Sequence, residues 1–203
     1  LDAGSWFSPE YSGEKIPSLI EILDLCKELD VVVNVEIKHA TERCYDIPTT
    51  EQAAEERELA GIVCREVEQF RPAPGSIIFS SYSIAALEIC KALLPTVPRS
   101  LLVGAIPDDW ESVVSRLDCF SLNFYHDAAT KEQVGAVARR VPAVVYTVND
   151  PSRAAELFSW GVAAVITDCP HTILAHLPAD AACAPSAASS AHPAAAAAAA
   201  AAT

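Results

Sequence analysis

The sequence predicts an α/β fold, a barrel of parallel strands short of its first members. Three observations carry that expectation. Short β-branched apolar runs alternate with segments of helical periodicity, the pattern of a parallel sheet covered by helices. Six such strands occur, where a closed eight-stranded barrel takes roughly 250 residues. The chain has 203 residues and no methionine, even at position 1, which fits a protein whose beginning lies upstream of Leu1. A doubly wound open sheet is the alternative, but its Gly-rich phosphate loop does not occur.

Residues 1–14 mix polar and aromatic side chains with Gly4, Pro9 and Gly13 and read as loop and turns. Ser18 with Glu21 three positions on has the spacing of a capping box, and Leu19, Ile22, Leu23 and Cys26 then fall on one helical face. Residues 31–38 form a buried strand, in which Asn34, Glu36 and Lys38 share one face. A polar stretch, residues 41–50, leads to a helix over 50–70 that Pro72, Pro74 and Gly75 stop.

The cycle then repeats. Strands are expected at 76–81, 100–104, 119–124, 144–149 and 163–168. Helices are expected at 84–93, 110–117, 131–139, 151–160 and 171–177. Gly161 stands at the position that ends the helix over 151–160. From Pro178 onward Ala, Ser and Pro dominate, and residues 178–203 read as a disordered tail beyond a domain of residues 1–177.

Charge narrows the function. The chain carries 14 Lys and Arg against 27 Asp and Glu, a net charge of −13. Nucleic acid needs a basic face, so it is not an expected partner, and neither is an anionic membrane surface. No run of about 20 apolar residues predicts membrane insertion. Seven widely spaced cysteines without a C-x-x-C read as free thiols in a reducing compartment, which points to the cytoplasm.

In a barrel of parallel strands the functional groups stand at the C-terminal strand ends. There the sequence offers Glu36 and Lys38, Ser80 and Ser81, Asn123 and His126, Tyr146 and Asn149, Thr167 and Asp168. Glu36 with Lys38 reads two ways. Either the carboxylate holds a divalent cation while the lysine meets a phosphoryl oxygen, or the two form an internal ion pair. Asn149-Asp150-Pro151 and Asp168-Cys169-Pro170 read as structural caps and turns. His126 suits a pocket or a solvated rim equally, and Tyr146 suits core packing or a pocket wall. His39, His171 and His176 have no ligand spacing.

Several stretches, in order, resemble one family. They are Asp2-Ala3-Gly4-Ser5-Trp6-Phe7, Ile16-Pro17-Ser18-Leu19, Asn34-Val35-Glu36-Ile37-Lys38, Ser80-Ser81-Tyr82, Tyr146-Thr147-Val148-Asn149, and Gly161-Val162 through Ile166-Thr167-Asp168-Cys169-Pro170. They are similar to motifs of the glycerophosphodiester phosphodiesterases, the bacterial cytosolic kind above all. The resemblance implies a TIM-type (β/α)8 barrel of the phospholipase C-like phosphodiesterase kind, N-terminally truncated. It implies hydrolysis of glycerophosphodiesters to sn-glycerol 3-phosphate and an alcohol, with Mg²⁺ or Ca²⁺ as cofactor.

By the same resemblance Glu36 is a metal ligand, Lys38 steadies phosphate charge and Tyr146 lines the glycerol pocket; Ser81 and Asn123, as polar residues at strand ends, are expected to bind substrate. The family's H-R-G, E-x-D and H-D motifs would lie upstream of Leu1, and Ala163 replaces the usual Asp. The chain alone is therefore expected to be nearly inactive. Another metal-dependent barrel, such as a sugar-phosphate isomerase, or a non-catalytic barrel remnant with a binding role, are the rival expectations.

Overall fold

The computed structural model describes residues 1–38 and 50–176. His39, Cys44, the polar stretch through residue 49, Leu177 and the tail at 178–203 lie outside the described residues.

Residues 1–18 are ordered by one carboxylate. Asp2 accepts hydrogen bonds from the backbone N–H groups of Gly4, Ser5 and Gly13 and from the Ser5 hydroxyl. The Ser5 hydroxyl first, then those N–H groups, hold the Asp2 carboxyl far below the usual carboxylate range. An antiparallel bridge joins Asp2 to Lys15, and a 3₁₀ turn spans Pro9–Tyr11. Gly4 is required here, because a Cβ at that position would lie 2.1 Å from the Tyr11 carbonyl oxygen. Trp6 and Phe7 stay exposed.

The rest alternates helix and strand: α1 (Leu19–Glu28), β1 (Val33–Glu36), α2 (Thr50–Phe70), β2 (Ile77–Ser81), α3 (Ile84–Leu93), β3 (Arg99–Val103), α4 (Trp110–Leu117), β4 (Ser121–Tyr125), α5 (Lys131–Ala138), β5 (Ala143–Tyr146), α6 (Pro151–Ser159), β6 (Ala164–Val165) and α7 (Pro170–His176). The capping box at α1 forms as its spacing predicts: Glu21 N–H donates to Ser18 Oγ, and Ser18 N–H donates to the Glu21 carboxylate. Asp150 caps α6, with Pro151 at its first position. Gly161 follows α6 with φ +102°, the left-handed conformation that glycine adopts without strain.

All six strands are parallel and pair in sequence order, β1-β2-β3-β4-β5-β6. An open doubly wound sheet reverses direction at a switch point, and this one does not. Right-handed crossovers that always step the same way put every helix on one face. The other face becomes the concave inside of a curled, six-stranded half-barrel.

Burial separates the two faces. Ile77, Phe79, Leu101, Leu122, Phe124, Ala143 and Val145 are buried against the helices. One cluster joins Ile77 and Phe79 to Leu23, Ala60, Val67 and Ala86 of α1–α3. A second joins Leu101, Leu122, Phe124 and Val145 to Val113, Leu117, Val134, Val137 and Leu157 of α4–α6. Alternation sends the intervening residues inward.

Three expectations need correction. The first strand, expected to be buried over 31–38, spans Val33–Glu36 with no residue fully buried, and Val31 and Val32 before it are exposed. The last strand, expected over 163–168, is a two-residue ladder at Ala164–Val165. The fifth, expected over 144–149, ends at Tyr146, whose peptide bond to Thr147 is cis. Single hydrogen bonds still carry the pairing outward, from Ala163 N–H to Ala143 O and from Val148 N–H to Ile166 O.

Candidate functional site

One row of the inward face is polar where barrel interiors are usually filled by branched apolar side chains, although Ile78, Leu102 and Val144 also point inward by parity. Strand register lines up Glu36 with Ser80, Ser80 with Ser100, and Ser100 with Ser121, one row across four strands. Ser80, Ser100 and Ser121 are all buried. Ser121 Oγ lies 2.7 Å from Ser100 Oγ and 2.8 Å from Asn123 Oδ1, and its single proton serves one of them at a time. Ser80 Oγ is fully buried and has no hydrogen-bond partner among the described residues. A buried hydroxyl left that way carries a desolvation cost that water or a bound ligand would relieve.

Glu36 and Lys38 stand at the open end of this row. Their charged groups are 3.9 Å apart, with the Lys38 side chain 75% exposed and that of Glu36 34% exposed. A contact this loose and this wet is worth little to stability, so both groups are available to a ligand. Their backbone, by contrast, is held firmly. Ile37, between them, donates its N–H to Ser80 O and accepts a 2.7 Å hydrogen bond from Ser81 Oγ.

Ser81 therefore does not face the row. It is buried on the helix side of β2, where its hydroxyl also accepts from Ser83 N–H. It touches the site only through the Ile37 carbonyl. Asn123 does face inward, one step deeper than the rim, and is buried.

Tyr146 reaches the rim and has company there. Tyr82 Oη donates to Tyr146 Oη at 2.7 Å, and Tyr146 Oη donates to Val103 O at 2.6 Å. The Tyr82 ring stands nearly perpendicular to that of Tyr146, and the Tyr125 ring lies 6.3 Å away on the other side. Three tyrosines from the ends of β2, β4 and β5 thus wall one end of the half-barrel. Tyr82 and Tyr125 were missed as site residues, although their parity with Ser80 and Asn123 places them on the inward face.

The remaining rim residues are braces. Asn149 Nδ2 donates to Asp168 Oδ2, while Asn149 Oδ1 accepts from the Thr167 hydroxyl and the Asp168 N–H. That ties the ends of β5 and β6 together. His126 packs toward α6: its Nδ1 lies 2.9 Å from Asp127 Oδ1 and 3.4 Å from Arg153 Nε, and its carbonyl accepts from Arg153 Nη2. The Arg153 guanidinium also stacks on Trp160. His171 and His176 are exposed on α7.

Among the described residues no three His, Cys, Asp or Glu side chains gather as a metal-binding group. Glu36 is the one carboxylate on the polar row, so these residues do not by themselves make a complete cation site. A groove of about 710 Å³ opens at the opposite end, lined by Val67, Pro72, Leu94, Pro95, Val97 and Pro98. It sits under the N-terminal ends of β2 and β3 and is mostly apolar, whereas barrel chemistry belongs to the other end.

Comparison with known proteins bears on this rim. Residues 1–172 match the model of the glycerophosphoryl diester phosphodiesterase family. A glycerophosphodiester phosphodiesterase of Caldanaerobacter subterraneus subsp. tengcongensis is 27% identical over 176 residues, covering 86% of this chain and 67% of the relative. One from Bacillus subtilis is 27% identical over 187 residues, covering 84% and 59%. An Oleispira antarctica phosphodiesterase, solved in complex with the product sn-glycerol-3-phosphate, superposes with a TM-score of 0.72 at 30% identity, covering 86% of this chain and 66% of that one. A Parabacteroides distasonis glycerophosphodiester phosphodiesterase shares the fold, with a TM-score of 0.65 at 21% identity over 80% and 64% of the two chains. The chain thus spans about two thirds or less of the length of the proteins it matches.

Proposed function

Because the chain belongs to the glycerophosphoryl diester phosphodiesterase family, we propose that its polar row and tyrosine rim are part of a site that hydrolyses glycerophosphodiesters to sn-glycerol 3-phosphate and an alcohol. The observation that carries this reading is the Glu36–Lys38 pair, exposed at the C-terminal rim on a firmly clamped backbone. The Oleispira relative, which holds sn-glycerol-3-phosphate, supports the ligand class.

Lys38 sits as a point charge beside the phosphoryl oxygens, where negative charge grows in the transition state. Tyr146, braced by Tyr82 and flanked by Tyr125, walls the substrate's organic part. Asn123 offers its amide from the deeper layer. Ser81 keeps Glu36 and Lys38 in place through the Ile37 carbonyl.

Glu36 is proposed as one ligand of a divalent cation, Mg²⁺ or Ca²⁺, both of which take oxygen donors. Such a cation would supply charge neutralisation of the phosphate. Its other ligands would have to come from outside the residues described, and no step is assigned to it. No histidine stands on the row among the described residues, so turnover by this chain alone is expected to be slow. No described helix is long and apolar enough to cross a membrane, and the five described cysteines are free; a cytoplasmic setting is part of the proposal.

The single carboxylate also favours a second reading, a barrel that binds glycerol phosphates without cleaving them. Calorimetric titration of the chain with sn-glycerol 3-phosphate, with and without Mg²⁺, tests what both readings share. Lys38→Ala should weaken binding about tenfold or more, while Lys91→Ala, remote on α3, should not. Equal affinity for wild type and Lys38→Ala removes the lysine from the site. Release of sn-glycerol 3-phosphate from glycerophosphocholine then separates hydrolase from binder.

A further inference from the structure

Cys64 of α2 and Cys90 of α3 meet inside the helix layer. Their sulfur atoms are 3.8 Å apart, and the residues are 1% and 0% exposed. They lie 26 positions apart, on the two helices that also share a polar clasp, where the Ser83 hydroxyl that caps α3 donates to the buried Glu56 carboxylate of α2. Neither sulfur has a role in the polar row or the rim.

We infer that Cys64 and Cys90 form an oxidisable dithiol, a covalent modification site that a small peroxide-class oxidant closes to a disulfide cross-linking α2 to α3. Two features carry this beyond mere proximity. A disulfide needs the sulfurs to come to about 2.05 Å, with Cβ atoms about 3.5–4.5 Å apart. Thiols already within van der Waals contact reach that by side-chain rotation and a small helix shift. The pair also divides its proton unevenly. The Cys90 thiol beside it lowers Cys64 from the ordinary thiol value, while hydrogen bonding to Cys64, with burial adding to it, pushes Cys90 up. Oxidation can begin at Cys64, with Cys90 as the sulfur that resolves it; exchanging the two roles gives the same disulfide.

The chemistry balances. The Cys64 thiolate attacks one oxygen of hydrogen peroxide and the O–O bond breaks, giving a sulfenic acid and hydroxide. The Cys90 sulfur then attacks the Cys64 sulfur, and the S–O bond breaks as the S–S bond forms. Two thiols and one peroxide become one disulfide and two waters. An oxidant the size of peroxide enters through the same small openings as water, so burial slows this reaction without forbidding it.

Cys119 provides an internal control. It is buried too, at 4% exposure, and burial pushes its thiol up to about 12. It differs from the pair in having no sulfur neighbour among the described residues.

The test treats the full chain with stoichiometric hydrogen peroxide, blocks remaining thiols, and identifies linked peptides by mass. The expected product joins the Cys64 and Cys90 peptides with loss of two hydrogens and is reversed by dithiothreitol, while Cys119 stays blocked as a free thiol. In Cys64→Ser the Cys90 peptide should react no faster than that of Cys119; Cys64→Ala, which suits the buried site differently, should behave the same. Oxidation should also raise the melting temperature by several degrees, because the new link restricts the unfolded chain. The inference fails if Cys26 and Cys169, the partly exposed thiols, are consumed while Cys64 and Cys90 remain free. It fails equally if Cys64 is found joined to any other cysteine.

Discussion

Tyr82 Oη donates to Tyr146 Oη, which in turn donates to the Val103 carbonyl, so the ends of β2, β3 and β5 are tied by one relay of two hydroxyls. Each hydroxyl does different work. Tyr146 fixes its ring against β3, and Tyr82 fixes Tyr146. Tyr146→Phe removes both bonds and leaves the Tyr82 hydroxyl without this acceptor. It should cost about 1–2 kcal/mol in urea unfolding, and Tyr82→Phe about 1 kcal/mol or less. Equal and negligible costs would show that the relay is decorative.

Ser81→Ala removes the donor to Ile37 O from the peptide that separates Glu36 and Lys38. The expected loss of stability is about 1–2 kcal/mol, because a buried carbonyl loses its partner. Amide signals of Glu36, Ile37 and Lys38 should shift or broaden in ¹H–¹⁵N spectra, while those of Asn149 and Asp168 should not. Undisturbed signals at Glu36 and Lys38 would free Ser81 from the positioning role.

Arg99 is the largest fully buried side chain, and it lies at the end of the barrel opposite the rim. Its guanidinium donates to the carbonyls of Pro95, Val97, Leu117 and Asp118 and pairs with the Asp118 carboxylate. Arg99→Leu leaves four carbonyls to find new partners and should destabilise by about 3 kcal/mol or more. Arg99→Lys should recover little of that, since a point charge cannot match a five-donor fork. Thermal unfolding of the two variants decides it.

The capping box of α1 gives a pH signature. Hydrogen bonds from the Ser18 N–H and hydroxyl lower the Glu21 carboxyl from its ordinary 4.5. A carboxyl depressed in the folded state stabilises fully above its unfolded value and loses that contribution as pH falls through the folded one. As the pH falls below 4.5 and through the lower folded value, the start of α1 should therefore fray, seen as faster amide exchange at Leu19, Ile20 and Glu21. Glu21→Gln should flatten this dependence.

Much of this architecture was legible because local and global signals agree. Ser18 with Glu21, Asp150 with Pro151, and Gly161 fixed three helix ends as their chemistry requires, and β-branched runs between them gave six strands. The face of a strand residue was harder to read. Ser80 and Ser81 are adjacent and chemically identical, yet register sends one into the row and the other against Ile37. Periodicity gives alternation but not its phase when both residues are serine. Arg99 gave no signal in the sequence, because its acceptors are mostly backbone carbonyls, which no side-chain pattern announces. Among the described residues no further carboxylate, histidine or cysteine joins Glu36 in a metal-binding group, so no pattern around it could be read.

The central claim is that the tyrosine rim, and not the apolar groove at the opposite end, receives a glycerol phosphate. The most direct measurement is a ¹H–¹⁵N titration of the chain with sn-glycerol 3-phosphate. The account predicts saturable shifts at Glu36, Lys38, Tyr82, Tyr125 and Tyr146, with Val67, Leu94 and Val97 unmoved. Shifts gathered around Val67, Leu94 and Val97, or none that saturate, would contradict it.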